Sequence, residues 1–234
     1  NEVMGQSGVQ LNLLVDLNVG MNRTGIQSQY GGMELCLNIE KAEHVTFGGL
    51  HAYDGHLHSM DAAKLAQEAE VAFEPVWMLK HELEKQGLNI DRLVVSGTPT
   101  SGLMSRYPDV EVGAGTMVLW DAGQCAHSPG LDFINAAVVM TRVISRPGEE
   151  LLCLDLGYKA IASEFAPPRV KLLGIDDAVE VSHSEEHLVI QTKAAAQYPV
   201  GTVIYGLPFH VCPTVALHQE VWAVRGGVAQ EAWE

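Results

Sequence analysis

The 234-residue chain is 47% hydrophobic and 18% charged, a composition that excludes an intrinsically disordered protein. Its 14 basic and 29 acidic residues give a net charge of −15, which argues against nucleic-acid binding. No apolar run reaches the ~18–20 residues that span a bilayer, and nothing at the N-terminus resembles a secretion signal.

The first part of the chain alternates strand and helix patterns. Apolar runs predict strands at residues 9–16, 45–50, 93–95 and about 115–120. Between the second and third runs, apolar residues recur every three or four positions and predict a helix from about Asp61 to Gln86. Pro75 lies inside it, so we expect a kink near Glu74. Each predicted strand ends in a glycine-rich polar cluster, as at the C-terminal face of a parallel α/β barrel.

The number of these strands is too small for a closed barrel. A (β/α)8 barrel needs eight strands, and we count about four. We therefore expect residues 1–130 to be the C-terminal half of an α/β barrel, with the other βα units upstream. A small open α/β sheet is the alternative.

The pattern changes at about residue 128, and Ser128-Pro129-Gly130 is the expected boundary. Beyond it, short β-branched segments without a helical period predict an all-β domain over residues 131–234. The predicted strands are residues 136–145, 151–155, 170–173, 187–192, 202–205 and 215–224.

Two glycine-rich segments are typical of phosphate-binding loops. Ser96-Gly97-Thr98-Pro99-Thr100-Ser101-Gly102 follows a predicted strand, and Gly113-Ala114-Gly115-Thr116 begins the next one. Successive backbone N–H groups together with hydroxyls can cradle a phosphate. An ordinary Ser/Thr/Pro turn would have the same composition.

Two histidine-containing pairs are candidate metal sites. In an extended segment, the side chains of His210 and Cys212 would project to one side, and imidazole with thiolate suits zinc. The spacing of His56 and His58 makes them a rival pair. A buried cysteine beside a hydrogen-bonded histidine is the alternative for the first pair.

Two charged residues lie next to predicted turns. Arg23 is a fixed positive charge at a strand end and could bind a phenolate or carboxylate. Lys159 follows a glycine turn, and we expect it to pair with acidic residues at the surface.

Taken in order, five segments resemble the D-threonine aldolase/D-serine dehydratase family of fold-type III pyridoxal phosphate enzymes. These segments are Val15–Gly25, Ala52–His56, Ser96–Thr100, Ser184–His187 and His210–Thr214. The resemblance runs from about residue 9 to the C-terminus. It implies an alanine-racemase-like barrel followed by a D-serine dehydratase-like β domain that carries the metal pair.

The resemblance also implies roles for individual residues. Arg23 would bind the phenolic oxygen of pyridoxal 5'-phosphate, and Tyr53 would contact its ring. Phosphate contacts would come from Gly97, Thr98, Thr100, Gly115 and Thr116. His210 and Cys212 would bind a divalent metal, with zinc first and manganese or magnesium as alternatives. Met117 and Gln124 stand where relatives often carry aromatic residues, and the family's cofactor-linked catalytic lysine is expected upstream of this chain.

The implied reaction is cleavage of a D-β-hydroxy amino acid to glycine and an aldehyde. The alternative is D-serine dehydratase-type elimination to a 2-oxo acid and ammonia, which the cysteine of the metal pair favours. A second alternative is a truncated or cofactor-carrying protein without turnover.

The cellular setting follows from the cysteines and from the family. The four cysteines, Cys36, Cys125, Cys153 and Cys212, form no CxxC pair and no disulfide framework, which predicts a cytoplasmic protein. The resemblance implies a homodimer that acts on a small D-amino acid, with neither nucleic acid nor membrane as a partner.

Overall fold

The computed structural model describes residues 1–95, 97–128 and 130–234, without the side chains of residues 29 and 30. The chain divides into two compact units, residues 1–115 with 127–131, and residues 116–126 with 132–234. Ser96 of the first glycine-rich loop and Pro129 of the expected boundary lie outside the described residues. The division into domains at residue 130 stays a prediction.

The first unit contains a four-stranded parallel sheet. Its strands, in spatial and chain order, are β1 (Leu11–Leu17), β2 (Val45–Ala52), β3 (Arg92–Val95) and β4 (Glu111–Val112). The helices are α1 (Glu2–Ser7), α2 (Met33–Glu40) with a preceding π-helical turn (Ser28–Gly32), α3 (Ala62–Lys85) and α4 (Ser101–Met104). The predicted alternation of strands and helices in a parallel sheet is confirmed for the first three strands.

The long helix α3 forms as its periodicity predicts. Its buried face consists of Leu65, Ala69, Phe73, Val76, Leu79 and Leu83. The Asp61 carboxylate caps the N-terminus by accepting the N–H groups of Ala63 and Lys64 at 2.9 and 3.1 Å. The helix continues through Pro75 to Lys85, and buried residues lie on both sides of the proline.

The strand predicted at Gly115–Trp120 is wrong. β4 lies earlier, at Glu111–Val112, and Thr116–Val118 forms a 3-10 turn. The N–H groups of Leu119 and Trp120 both donate to the carbonyl of Thr116, at 3.1 and 2.8 Å. The Trp120 backbone is left-handed (φ 50°) and its side chain is 2% exposed. The apolar run therefore reflects a turn that buries a tryptophan.

One glycine allows β2 and β3 to approach closely. Gly49 has a φ of +135°, a region that favours glycine. A Cβ at this position would lie 1.9 Å from the carbonyl oxygen of Arg92 in β3. Any side chain at position 49 would therefore clash with the backbone of β3.

The second unit is mainly antiparallel. Its strands are β5 (Val139–Gly148), β6 (Leu151–Leu154), β7 (Val170–Leu172), β8 (Val179–His183), β9 (Leu188–Gln191), β10 (Val203–Pro208), β11 (Val221–Arg225) and β12 (Val228–Trp233). Six form one sheet in the order β7-β10-β5-β6-β9-β8, and β11 pairs with β12 as a hairpin. Val143, Leu152, Leu154, Leu188 and Ile190 form the centre of its core.

Two short helices and two strands differ from the sequence-based expectation. α5 (Ala122–His127) precedes the β region, and α6 (Val211–Ala216) occupies the first part of the predicted strand 215–224. The strand prediction there is wrong up to residue 220. β8 and β12 were missed because β12 is exposed throughout, β8 has no fully buried residue, and each contains a glutamate. The described residues contain no helix long and apolar enough to cross a membrane.

Candidate functional site

A cation–π pair joins the segments that follow β1 and β2. The guanidinium carbon of Arg23 lies 4.7 Å from the ring centre of Tyr53. The turn before Arg23 is held by Asn18, whose Oδ1 accepts the N–H groups of Gly20 and Asn22, both at 3.0 Å. Arg23 is exposed and Tyr53 half-buried, so both can meet a ligand.

A buried carboxylate, which the sequence analysis did not single out, holds the loop that follows β3. Asp54 is 1% exposed, and its two oxygens accept the Gly97 N–H and the Thr100 hydroxyl, the latter at 2.5 Å. Burial raises the pKa of Asp54 above its ordinary value, although the hydrogen bonds from Thr100 and Gly97 oppose the shift. Asp54 thereby fixes the loop that was interpreted as a phosphate-binding loop.

The same loop lies against Tyr53. A Cβ at Gly97 would be 3.3 Å from Cε2 of Tyr53 and 3.2 Å from Oδ1 of Asp54, so glycine permits this contact. Thr98 is 6% exposed and Thr100 is fully buried. The structure brings Arg23, Tyr53 and Gly97 together at the ends of three parallel strands. Phosphate contacts from Gly97, Thr98 and Thr100 stay predictions.

A second polar network, also missed, lies on β1 and β2. Asp16 and His51 are opposite each other in the parallel register. Asp16 accepts from the Nδ1 of His51 at 2.7 Å and from the hydroxyl of Thr24 at 2.8 Å. The sequence held a signal for this pair, because Asp16 ends the predicted strand 9–16 and His51 directly follows the predicted strand 45–50.

The second predicted phosphate segment is arranged differently from the expectation. Gly115 is exposed, and a Cβ there would contact nothing within 4 Å. Thr116 belongs to the second unit, where its Oγ1 lies 3.4 Å from the Sγ of Cys212. The phosphate contacts of Gly115 and Thr116 stay predictions, and Thr116 is a neighbour of the predicted metal pair.

His210 and Cys212 do not lie in one extended segment, so the geometric argument made for them was wrong. His210 is the extended N-cap of α6 (φ −134°, ψ 102°), and Cys212 lies in the first turn of that helix. Cys212 is exposed and His210 half-buried. Their roles as metal ligands stay predictions, which rest on the two residue types and on the contacts that each side chain makes.

The imidazole of His210 is held by Glu164 and Phe165. Its Nδ1 is hydrogen-bonded to Oε1 of Glu164, and the Phe165 ring lies 5.2 Å from it, centre to centre, at 31°. The pKa of Glu164 is lowered: burial raises it, but hydrogen bonds from backbone N–H groups and from His210 outweigh burial. Nothing in the sequence around Glu164 indicated this contact.

The start of α6 is fixed by a second buried carboxylate. Asp121 is 3% exposed and accepts the N–H of Val211 at 2.8 Å through one oxygen and that of Gln124 at 2.7 Å through the other. The Gly123 N–H donates to the carbonyl of Phe209 at 3.0 Å. The backbone between His210 and Cys212 is therefore rigidly tied to residues 121–124.

His56 and His58, the rival metal pair, differ in exposure, and Lys159 lies in a surface ion-pair network. The Nδ1 of His56 is buried without a hydrogen-bond partner among the described residues, and His58 is exposed. Lys159 bridges Glu185 and Glu186, at 2.9 Å each, in the surface pairing that the sequence predicts. Within the described ranges, no three or more His, Cys, Asp and Glu side chains are grouped to hold a metal.

Comparisons with known proteins cover both units. The family model "Putative serine dehydratase domain" matches residues 136–224. D-threonine aldolase from Arthrobacter sp. is 28% identical over 239 residues, which cover 100% of this chain and 62% of that protein. The crystal structure of D-threonine aldolase from Filomicrobium marinum superposes with a TM-score of 0.91 at 26% identity, covering 99% of this chain and 64% of the other.

Residues 136–224 match the serine dehydratase domain, and the chain as a whole is similar to D-threonine aldolases. Its fold is alanine-racemase-like as well: alanine racemase from Clostridium difficile 630 superposes with a TM-score of 0.63 at 14% identity, over 87% of this chain and 55% of that one. The expected fold class is confirmed.

The extent of these matches matters for the site. The chain spans about three fifths of the length of its D-threonine aldolase relatives. Residues 136–224, the part matched by the family model, include His210 and Cys212. The match to D-threonine aldolase extends over the whole chain and so includes Arg23, Tyr53 and the 97–100 loop.

Proposed function

We propose that the protein is a pyridoxal phosphate- and divalent-metal-dependent lyase that cleaves D-β-hydroxy amino acids to glycine and an aldehyde. The observation that carries this proposal is the likeness to D-threonine aldolase over the whole chain, with a TM-score of 0.91 for one member. Similarity to D-threonine aldolase, 3-hydroxy-D-aspartate aldolase and D-serine dehydratase supports a lyase of D-amino acids. The aldolase reaction, the cofactor and the metal are the proposal.

Arg23 and Tyr53 fit the ring of the cofactor. Arg23 is an exposed fork of N–H donors 4.7 Å from the Tyr53 ring centre, and a guanidinium binds an anionic ring oxygen well. Tyr53 offers a flat apolar face for an aromatic ligand. When bound, pyridoxal 5'-phosphate supplies an electron sink for the carbon that loses a bond.

The 97–100 loop fits the phosphate end only in part. Its Gly97 N–H and Thr100 hydroxyl donate to Asp54, so both groups shape the loop. We propose that Asp54 holds this backbone in a fixed conformation and that Thr98 and the remaining N–H groups receive the phosphate. Gly115 and Thr116 stay in the proposal as further contacts.

His210 and Cys212 fit a divalent ion by their chemistry. A hydrogen bond from Nδ1 to a carboxylate leaves the Nε2 lone pair for a metal, as metal-bound histidines commonly have it. Cys212 is exposed, with only the Thr116 hydroxyl near its sulfur among the contacts described. The bound ion would act as a Lewis acid toward the substrate's β-hydroxyl.

Removal of the Arg23 guanidinium should weaken cofactor binding. We expect Arg23→Ala to raise the Kd for pyridoxal 5'-phosphate by about 10- to 100-fold, since a hydrogen bond to a charged group contributes about 1.5–3 kcal/mol. Quenching of intrinsic fluorescence measures this Kd without turnover. Arg146→Ala, which removes another exposed arginine, is the matched control and should leave Kd unchanged.

Elimination to a 2-oxo acid and ammonia is the second candidate. The matched family model, which is described as a serine dehydratase domain, and the cysteine at residue 212 favour it. Both reactions start from the same bound substrate. They differ in the bond that breaks: Cα–Cβ in the aldolase reaction, and Cα–H followed by Cβ–OH in the dehydratase reaction.

Product analysis distinguishes these reactions. The full-length protein, loaded with pyridoxal 5'-phosphate, is incubated with D-threonine or D-serine, with Zn²⁺ or Mn²⁺ and after chelation. We expect equal amounts of glycine and acetaldehyde from D-threonine, only with metal. A 2-oxo acid and ammonia would establish the dehydratase reaction instead, and the absence of turnover on both substrates would favour a non-catalytic cofactor carrier.

A cofactor-linked lysine upstream, a homodimer and a cytoplasmic location complete the proposal.

A further inference from the structure

We propose that Glu164 and Phe165 are positioning residues that fix the His210 imidazole in the tautomer and orientation that a divalent metal requires. The inference rests on the proposed function, because it assumes that His210 binds the ion. Neither residue was predicted from the sequence, and neither is a metal ligand in this proposal.

Glu164 sets the tautomer. A carboxylate can only accept a hydrogen bond, so the proton of a neutral His210 ring lies on Nδ1, which contacts Oε1 of Glu164. The lone pair is then on Nε2. This arrangement of carboxylate, histidine and metal recurs in metal sites, where it orients the ring and increases its basicity.

Phe165 restricts the ring from its face. Its centre is 5.2 Å from that of His210, with 31° between the planes. The hydrogen bond to Glu164 fixes one edge of the imidazole, but rotation about that bond remains. An aromatic face at this distance limits the rotation, so the two neighbours together define the direction of Nε2.

The segment that carries both residues is tied to α6, the helix that His210 caps. The Ala162 N–H donates to Oγ1 of Thr214 at 3.1 Å, and the Thr214 hydroxyl donates to the carbonyl of His210 at 2.7 Å. Beyond α6, the Nε2 of His218 lies 2.9 Å from the Ala160 carbonyl. Ile161 and Ala162 are buried, so Glu164 extends from a fixed base.

The test is a titration with Co²⁺, which reports on ligands by absorbance and needs no turnover. The wild-type protein should show a thiolate-to-cobalt charge-transfer band from Cys212. Glu164→Ala should weaken Co²⁺ binding by about 10- to 100-fold, the range for loss of such a partner, and retain the band because the ligands are unchanged. Glu164→Gln keeps a neutral acceptor for Nδ1–H and should lose less affinity than alanine. Phe165→Leu should also lose less Co²⁺ affinity than Glu164→Ala.

The controls separate positioning from charge and from folding. Glu231→Gln removes one exposed carboxylate charge elsewhere in the same unit and should bind Co²⁺ like the wild type. The metal-free thermal midpoint of Glu164→Ala should stay close to wild type, because the Glu164 side chain is 41% exposed. Wild-type affinity in Glu164→Ala would overturn the inference while leaving the metal pair intact. Unchanged affinity in His210→Ala would overturn the proposed metal pair, and the inference with it.

Discussion

Replacement of Cys212 by alanine should abolish metal-dependent turnover. The variant loses the thiolate from a site to which the chain contributes two proposed ligands, and the Lewis-acid contribution to such reactions amounts to several kcal/mol. We expect a loss on the order of 10³-fold in kcat/KM, which corresponds to about 4 kcal/mol. The measurement is D-threonine cleavage over a range of Zn²⁺ and Mn²⁺ concentrations, with the absorbance of the bound cofactor recorded in parallel.

The cofactor absorbance should be unchanged in Cys212→Ala, because Arg23, Tyr53 and the 97–100 loop lie in a different unit of the chain and the variant keeps Thr116. Cys125→Ala, which removes another exposed thiol of the second unit, is the matched control and should keep wild-type activity. Full activity in Cys212→Ala together with loss of the metal in His58→Ala would assign the site to His56 and His58 instead.

Replacement of Asp54 by alanine should strongly destabilise the first unit. Asp54 is the shared acceptor for the Gly97 N–H and the buried Thr100 hydroxyl. Without it both donors are buried and unsatisfied, which costs about 1–3 kcal/mol each, or about 2–6 kcal/mol together. Urea unfolding should report this loss, and amide hydrogen exchange should increase in residues 97–104 before the rest of the unit.

Asp54→Asn is the matched comparison, because the amide keeps an acceptor for Gly97 and places a donor opposite the Thr100 oxygen. Its free energy of unfolding should lie within about 1 kcal/mol of the wild-type value at neutral pH. Burial raises the pKa of Asp54 in the folded protein, so the contribution of this carboxyl to stability is present below its ordinary pKa of about 3.9 and is lost as pH rises through the raised value. The free energy of unfolding should fall with pH across that window relative to Asp54→Asn. Parallel profiles of the two proteins would contradict this account.

The sequence predicted those parts of the fold that depend on local periodicity. α3 was recognisable because its apolar residues repeat at helical spacing and Asp61 stands at the capping position. The polar clusters at the strand ends were recognisable too, because parallel strands carry their C-terminal ends to one edge, where the structure brings Arg23, Tyr53 and Gly97 together. Neither feature required knowledge of distant contacts.

The errors occurred where a local pattern has two structural meanings. The apolar run 115–120 has the composition of a strand, yet its backbone forms a 3-10 turn because the Thr116 carbonyl accepts two successive N–H groups. His210 and Cys212 have the spacing of an extended pair, but a helix begins between them. Short apolar segments of this kind are decided by tertiary packing rather than by periodicity.

The residues that sequence analysis missed act across long separations. Asp54 is 43 residues from Gly97, and Glu164 is 46 residues from His210. A carboxylate directly after a strand, as Asp54 is, could have been singled out from topology. Glu164 lies in a loop without a distinguishing pattern, so only the folded chain identifies its partner.

The location of the metal tests this account most directly. Anomalous diffraction at the zinc edge, from crystals of the full-length protein grown with Zn²⁺, should give a peak bonded to a ring nitrogen of His210 at about 2.0–2.1 Å and to the Sγ of Cys212 at about 2.3 Å. Because Glu164 occupies Nδ1, the bonded nitrogen should be Nε2. A peak at His56 and His58 with none at His210 and Cys212 would contradict the assignment of the metal pair.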